Sequence, residues 1–239
     1  MIGKGKSISH GVAALEYDLA KEIDGQAAAT EIARHELYGC TGAEMVQEMK
    51  PYFTDFPNVK NNCLRFEVSP SIEESSSFTD ADWAELGNDF MQRMGLVNHQ
   101  YIIIKHSRTE SKKEQAHLHI LANRISLSGE LYRDNWIGKR ATEAANAIAK
   151  ERNFVQSQDI GKANKEEIKE AMNSVLKKMQ GFDLTKFQEE LGKLGFKIRE
   201  ARASTGKLNG YYVTARSGTE YKASEIGKGY TFAHIERTQ

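Results

Sequence analysis

Three histidines fall on two neighbouring segments whose pattern predicts strands. His117 and His119 are separated by one residue, so on a strand their side chains point to the same face, about 6.6 to 7 Å apart along it. His106 ends the preceding apolar run, and in a hairpin it can reach the same place. Three imidazoles without a fourth protein ligand leave coordination positions open, which is typical of a catalytic metal site.

The alternative for each of these histidines is a hydrogen-bonded core residue, the commoner role of a single buried imidazole. Three of the chain's seven histidines lie on this one hairpin. Burying several neighbouring imidazoles without a partner is costly, and a cation offsets that cost. We therefore predict one divalent metal ion here.

The segment from His106 to Arg124 (HSRTESKKEQAHLHILANR) resembles the third motif of the mobilisation relaxases, a branch of the HUH endonucleases. That motif is a His, a short polar stretch, His-x-His and then Asn-Arg. The resemblance implies that the metal bound by the three histidines is magnesium or manganese, with zinc or nickel as alternatives.

The same segment departs from the motif in having Ser107 and Arg108 after the first histidine, where the family often has Thr/Ser-Asp. The loop before His-x-His is also longer. A carboxylate that orients a ligand imidazole must therefore come from elsewhere. Glu67 is our candidate for it, and Asn123, at the end of the motif, is a second candidate for an orienting role.

The N-terminal segment SISHGVAALEYDLAKE resembles the family's first motif, a helix that carries the nucleophilic tyrosine. Tyr17 is the match. On a helical wheel it lies near 200° from Leu15, away from the apolar stripe around that residue. The resemblance implies that Tyr17 attacks a DNA phosphodiester, whereas the alternative is an exposed or packed tyrosine without a chemical role.

The function implied is site- and strand-specific nicking at a plasmid or mobile-element transfer origin. It would pass through a covalent 5′-phosphotyrosine and allow rejoining. The expected partners are single-stranded or locally melted DNA and accessory mobilisation proteins. Three alternatives stay open: a replication initiator of the same superfamily, a non-catalytic DNA-binding protein with a structural ion, and a hydrolase using metal-bound water.

The elements around these residues predict an α+β fold with a central antiparallel sheet, helices packed on it and a small C-terminal α/β appendage. Alternating or fully apolar runs predict the strands, and apolar residues three and four apart predict the helices. The predicted strands are 63–68, 101–106 and 116–125; the predicted helices are 8–23, 26–37, a helix capped by Thr79, and 139–151.

We expect three parts along the chain: a nuclease core at 1–154, a polar linker at 155–163 and the appendage at 164–239. Asn164 and Glu167 resemble a capping box that opens a helical pair. A β-hairpin around a GKLNG turn and a short terminal helix follow. The basic segment after the helices also resembles one that follows the nuclease core in some relaxases, so the appendage could contact DNA.

Charge is uneven although the chain has 33 basic and 33 acidic residues. Residues 66–95 are acidic, whereas 101–140 and 197–228 are basic and could follow a phosphate backbone. The alternative for both basic stretches is a solvated surface. Trp136 could stack on a base, although packing is its commoner role. The DNA-binding candidates are Lys105, Arg108, Arg124, Arg133, Lys139, Arg140, Lys197, Arg199 and Arg202.

Targeting signals are missing from the sequence pattern. The first residues contain no apolar run of a secretory signal, and no run of about 18 apolar residues predicts a membrane segment. We therefore expect a cytoplasmic protein. Cys40 and Cys63 have no pairing or metal-binding spacing and are expected to be free thiols.

Overall fold

The computed structural model describes residues 1–107 and 115–238. Arg108, one of the DNA-binding candidates, and most of the charged loop before His117 lie outside the described residues. The chain forms two compact units, Met1–Ser157 and Gln158–Gln239. No helix in the described ranges is long and apolar enough to cross a membrane.

The first unit is built on an antiparallel sheet that contains five strands within the described residues. From one edge to the other these are Ile2–Ile8, Cys63–Ser69, His117–Ser126, His99–His106 and Ala29–His35. Two short strands form a separate ribbon, and a 3₁₀ turn spans Lys50–Phe53. The predicted α+β class is confirmed. The elements are β1 (Ile2–Ile8), α1 (Gly11–Leu19), β2 (Glu22–Ile23), β3 (Gln26–Ala27), β4 (Ala29–His35), α2 (Gly42–Met49), β5 (Cys63–Ser69), α3 (Ile72–Ser75), α4 (Asp80–Arg93), β6 (His99–His106), β7 (His117–Ser126) and α5 (Ile137–Glu151).

The two faces of this sheet bury different cores. Leu64, Phe66 and Val68 of β5 are fully buried in the cluster that includes α4 and α5, as the alternation over 63–68 predicted. On the opposite face, residues of β6 and β7 pack with α1 and α2. Because neighbouring residues of a strand point to opposite faces, the three histidines share the face of α1 and α2.

Helix α5 lies directly against the edge strand β1. A Cβ at Gly3 would lie 2.4 Å from the carbonyl oxygen of Ala141, so only glycine permits this approach. Thr142 Oγ1 also donates to the Gly3 carbonyl at 3.0 Å. The next side chain of β1, Lys4, consequently projects from the opposite face.

Two N-terminal predictions are wrong. The helix expected at 8–23 is confined to Gly11–Leu19, with strands before and after it, and residues 26–35 of the expected helix at 26–37 lie in β3 and β4 or between them. Strand β4 pairs with β6, and this pairing gives the backbone polar groups of β4 their hydrogen-bond partners. Tertiary pairing outweighs the helix propensity of an alanine-rich segment.

The second unit combines helices with a sheet that has three strands among the residues described, in the order Glu220–Lys222, Leu208–Thr214, Lys197–Arg202. The predicted helical pair and hairpin are present, whereas the short strand Glu220–Lys222 was not predicted. The core of this unit contains Ile168, Phe187, Phe196 and Val213. Its elements are α6 (Ser157–Leu176), α7 (Leu184–Lys193), β8 (Lys197–Arg202), β9 (Leu208–Thr214), β10 (Glu220–Lys222), α8 (Ala223–Ile226), a 3₁₀ turn (Lys228–Tyr230) and α9 (Phe232–Thr238).

The structure differs from the predicted linker at 155–163, because residues 157–163 belong to α6. Asn164 is inside that helix and does not cap it. Its amide nitrogen donates to Ser217 Oγ at 3.0 Å and to Tyr221 Oη at 3.1 Å. The polar residues of the predicted linker therefore belong largely to a helix that side-chain hydrogen bonds hold in place, and not to an unstructured linker.

Candidate active site

The three histidines predicted from the sequence meet on one face of the β6–β7 hairpin. His106 pairs with His117 across the two strands, and His119 lies one row further along, opposite Ile104. One ring nitrogen of each histidine lies within 4.8 Å of the others. The hairpin thus brings three imidazoles to one place, as their spacing predicted.

Burial keeps these imidazoles neutral. Desolvation lowers the pKa of His106, His117 and His119, and the neighbouring rings and Arg65 help to lower that of His119 to about 2. His117 Nε2 and His119 Nε2 are 3.0 Å apart, so at least one of them offers a lone pair. Neutral rings with converging nitrogens fit a divalent cation, since a metal needs deprotonated ligands.

Asp18 is the residue that sequence reasoning missed. It is 1% exposed, and its carbonyl oxygen accepts a hydrogen bond from His106 Nε2 at 2.8 Å. Its carboxylate lies 2.5 Å from an Arg65 guanidinium nitrogen and 3.9 Å from His119 Nδ1. Burial raises the pKa of this carboxyl group, and Arg65 partly offsets that effect.

A signal for Asp18 was present in the sequence. It follows Leu15 by three residues and therefore falls on the buried stripe of α1, with Ala14 and Leu15. A carboxylate on the apolar face of a helix requires a partner. If His119 held a cation through Nε2, Nδ1 would carry the ring proton, and the Asp18 carboxylate, 3.9 Å away, would be the group to orient that ring.

The two orienting residues proposed from the sequence have different positions. Glu67 lies opposite His119 in the β5–β7 pairing, but its carboxylate accepts a hydrogen bond from Lys4 Nζ at 3.0 Å. Its role at the metal stays a prediction. Asn123 is fully buried four residues beyond His119, and its amide donates to Gln100 at 2.9 Å. Its backbone carbonyl accepts a hydrogen bond from another imidazole, that of His99, at 2.9 Å. Its orienting role at the three histidines stays a prediction.

Tyr17 lies on the exposed side of α1, as the helical wheel predicted, and its side chain is 57% exposed. Its phenolic oxygen accepts a hydrogen bond from Lys21 Nζ at 2.9 Å. Because the next residue, Asp18, is bonded to His106, the helix carrying Tyr17 is anchored at the histidines.

Three of the DNA-binding candidates are engaged within the protein. Arg124 donates to the Tyr132 and Asn61 carbonyls, both at 3.1 Å, and pairs with Asp134 at 2.7 Å. Lys105 pairs with Asp80 on the α4 side of the sheet. Arg140 lies over the Tyr132 ring, at 4.7 Å. These contacts hold the three side chains against the protein itself, and their role in DNA binding stays a prediction.

The other candidates lie at the surface and stay predictions. Arg133, Lys139 and Lys197 are exposed. Arg199 and Arg202 are also exposed but pair with Glu220 and Glu200, respectively. Trp136 is 81% exposed, so the alternative that it packs in the core is wrong.

The lowered pKa of His119 predicts a loss of stability in acid. The unfolded ring has a pKa near 6.5, so below that pH the unfolded chain binds a proton that the folded chain excludes down to about pH 2. Stability of the metal-free protein therefore falls as the pH drops below about 6.5. Each such histidine changes the folding equilibrium up to about tenfold per pH unit.

Denaturant unfolding of the metal-free protein between neutral and mildly acidic pH measures this effect. A His119→Gln variant should show a flatter dependence than the wild type, with the exposed His10→Gln as its matched control. An unchanged slope in His119→Gln would contradict the assigned neutral state.

Asp18 should also control metal affinity. In an Asp18→Asn variant the side chain keeps its size but loses the charge beside His119 and Arg65. Removing a carboxylate that orients a ligand imidazole typically weakens metal binding about 10- to 100-fold. Calorimetric titration with manganese and zinc measures the change.

The matched control is Asp89→Asn, because Asp89 also pairs with an arginine, Arg93 at 2.8 Å, but lies on α4. This variant should bind metal as the wild type does. Wild-type affinity in a folded Asp18→Asn variant would show that Asp18 does not support the histidines.

Two structures of one protein are among the solved structures similar to this chain. The conjugative relaxase TrwC in complex with oriT DNA, in a metal-bound structure, has 12% identity and a TM-score of 0.37, covering 87% of this chain and 74% of that one. A copper-bound structure of TrwC with oriT DNA has 12% identity and a TM-score of 0.34, covering 87% and 75%.

No curated protein matches the chain. The family model of the MobA/VirD2-like relaxase nuclease domain matches residues 17–154, which include Tyr17 and all three histidines. That match spans more than half of the 239 residues, and the chain therefore belongs to the MobA/VirD2-like relaxase family.

Proposed function

We propose that this protein nicks one DNA strand at the transfer origin of a plasmid or mobile element, with Tyr17 as the nucleophile. Membership of a relaxase nuclease family supports the reaction class. The observation that carries the residue assignment is the 2.8 Å hydrogen bond from His106 to the Asp18 carbonyl. It fixes the backbone next to Tyr17 at the proposed metal site.

Tyr17 needs help to act as a nucleophile, because a phenol is almost fully protonated near neutral pH. Lys21 Nζ donates to the phenolic oxygen at 2.9 Å and so holds a positive charge beside the attacking atom. The exposed side chain lets solvent water take that proton.

The attack forms a bond between the Tyr17 oxygen and phosphorus and breaks the bond from phosphorus to the 3′ oxygen. The products are a 5′-phosphotyrosine and a free 3′-hydroxyl. One phosphodiester replaces another, so the reaction is close to balance and the 3′-hydroxyl can reverse it. Nicking and rejoining therefore need the same residues.

His106, His117 and His119 would hold a divalent cation, which would polarise the scissile phosphate. The protein's part is to keep the rings neutral and oriented, through burial and through Asp18. Three imidazole nitrogens suit zinc or nickel better than magnesium, which prefers oxygen ligands. Manganese, the other ion that the motif implies, also binds imidazole more weakly than zinc or nickel does.

The substrate would be single-stranded or locally melted DNA. Accessory mobilisation proteins would be further partners at the origin. Arg133 and Lys139 of the first unit are exposed cations that could hold its backbone. We extend the same role to Lys197, Arg199 and Arg202 in the second unit.

The test uses single-stranded oligonucleotides that tile the transfer origin. The wild type with a divalent cation should give a DNA adduct that survives denaturation, and chelation should abolish it. Cleavage without an adduct would instead support hydrolysis by water, and binding without cleavage would support a non-catalytic DNA-binding protein.

A further inference from the structure

An open groove lies beside His119 at the β1 edge of the sheet. Its volume is about 200 Å³. Helices α1 and α2 cover the apolar part of this face, at Ile8, Ile102 and Leu121, but not the groove. We call it the β1 groove; its polar lining is Lys4, Lys6, Arg65, Glu67 and His119.

The cations of the β1 groove differ in how far they are neutralised. Arg65 is held by Asp18, and Lys4 is held by Glu67 at 3.0 Å. Lys6 is exposed and makes no ion pair with any residue in the described part of the chain. Lys4 and Lys6 alternate along β1, so they project from one face about 6.8 Å apart.

Trp136 provides a second, independent feature beside the same edge. It is 81% exposed, and its backbone has a left-handed φ of +55°, which a bulky side chain rarely adopts. Burial of the indole does not offset the backbone strain at Trp136, because the side chain is exposed. This combination points to a role in binding.

The position of Trp136 relates it to the β1 groove. It lies two residues before Gly138, where a Cβ would be 3.4 Å from the Gly5 carbonyl oxygen. Gly5 is the residue between Lys4 and Lys6. The segment that carries Trp136 therefore meets, at Gly138, the edge strand that bears the two lysines, and the exposed Arg133 and Lys139 belong to the same segment.

We propose that the β1 edge binds single-stranded DNA next to the histidines, with backbone phosphates on Lys6 and Lys4 and a base stacked on Trp136. Cations that follow a backbone and an aromatic ring that stacks on any base are the two parts of a single-strand site. Glu67 limits the affinity by occupying Lys4. The inference rests on the proposed function, since it extends the same DNA strand from the nick site.

The first test measures how affinity depends on salt. The probe is a fluorescein-labelled single-stranded oligothymidylate, bound to the full chain carrying Tyr17→Phe. Each phosphate contact to a single strand contributes about 0.7 to the slope of log affinity against log salt. Lys6→Ala should therefore lower the slope by about 0.7, and Lys6→Arg should restore it.

Glu67→Gln provides the opposite change. It should raise the slope by about 0.7, because it frees Lys4 for a phosphate. Lys150→Ala is the matched control, since Lys150 is exposed near the C-terminal end of α5, away from the end at which Gly138 meets the edge strand. An unchanged slope in Lys6→Ala, or an equal loss in Lys150→Ala, would overturn the proposal.

The second test uses the protein's own fluorescence. The chain has two tryptophans, and Trp83 is 2% exposed, so quenching by bound DNA reports on Trp136. The oligothymidylate should quench the wild type, and Trp136→Leu should bind at least about fivefold more weakly with the same salt slope. Absence of quenching at saturation would overturn the stacking role.

These results separate the β1 groove from the nicking reaction. If the wild type forms no adduct with origin DNA but the slopes change as expected, the proposed function fails and the groove stands. If the adduct forms but Lys6→Ala and Trp136→Leu bind as the wild type does, the groove alone fails.

Discussion

Replacing Tyr17 by phenylalanine is expected to abolish the covalent DNA adduct. The change removes one oxygen atom from a side chain that is 57% exposed, so folding should be almost unaffected. Chemistry should be lost, because no other atom of this side chain can attack phosphorus. Removing a nucleophile typically costs about 10⁴-fold or more in rate. Denaturing gels with wild type and variant at equal DNA occupancy measure the adduct.

Tyr38→Phe is the matched control for this experiment. Tyr38 is 76% exposed and its hydroxyl donates to Glu36 at 3.1 Å. It is also a surface tyrosine, so its replacement should leave the adduct intact. An adduct that persists in Tyr17→Phe, or disappears in Tyr38→Phe, would contradict the assignment of Tyr17 as the nucleophile.

Replacing His119 by alanine is expected to remove tight metal binding and, with it, nicking. The ring contributes one of three converging nitrogens, and its Nε2 is 3.0 Å from that of His117. Losing a direct ligand should weaken binding by more than the roughly 10- to 100-fold expected for an orienting residue such as Asp18. Calorimetry with zinc and manganese gives the affinity, and adduct formation gives the activity.

His234→Ala, in the second unit, is the control for the loss of a histidine elsewhere. It should bind metal and form the adduct as the wild type does. The His119→Ala fold can be checked by far-ultraviolet circular dichroism, so that a loss of binding is not mistaken for unfolding. A folded His119→Ala protein with wild-type metal affinity would exclude the three-histidine site.

The hairpin that carries the histidines was predictable because its pattern has few alternatives. Both strands are apolar on two faces, as central strands are, and His106, His117 and His119 interrupt that pattern at positions of one face. Helix α4 was equally clear, because Thr79 and Asp82 form a capping box and Gly95, with φ of +73°, ends it.

The edges of the sheet were not predictable in the same way. Strand β1 has glycines where a core strand would carry large apolar side chains, and the reason, the close approach of α5, is visible only in three dimensions. Strand β4 is stabilised by pairing with β6. A residue's own propensity carries little information about such partners.

The residues of the candidate site also divide into those that the sequence could predict and those that it could not. The convergence of the three histidines and the exposed position of Tyr17 follow from spacing along one strand or one helix. The support from Asp18 depends on how α1 docks on β5, β6 and β7, through Arg65, His106 and His119. Arg124 matched a motif but stabilises its own loop, which only its three hydrogen-bond acceptors reveal.

The most direct test of the account is to identify the amino acid that is joined to DNA. The wild-type adduct would be digested with protease and nuclease, and the modified peptide sequenced by mass spectrometry. The account predicts a nucleotide linked through its 5′ phosphate to Tyr17. A nucleotide on any other residue, or cleaved DNA with no modified peptide, would contradict it.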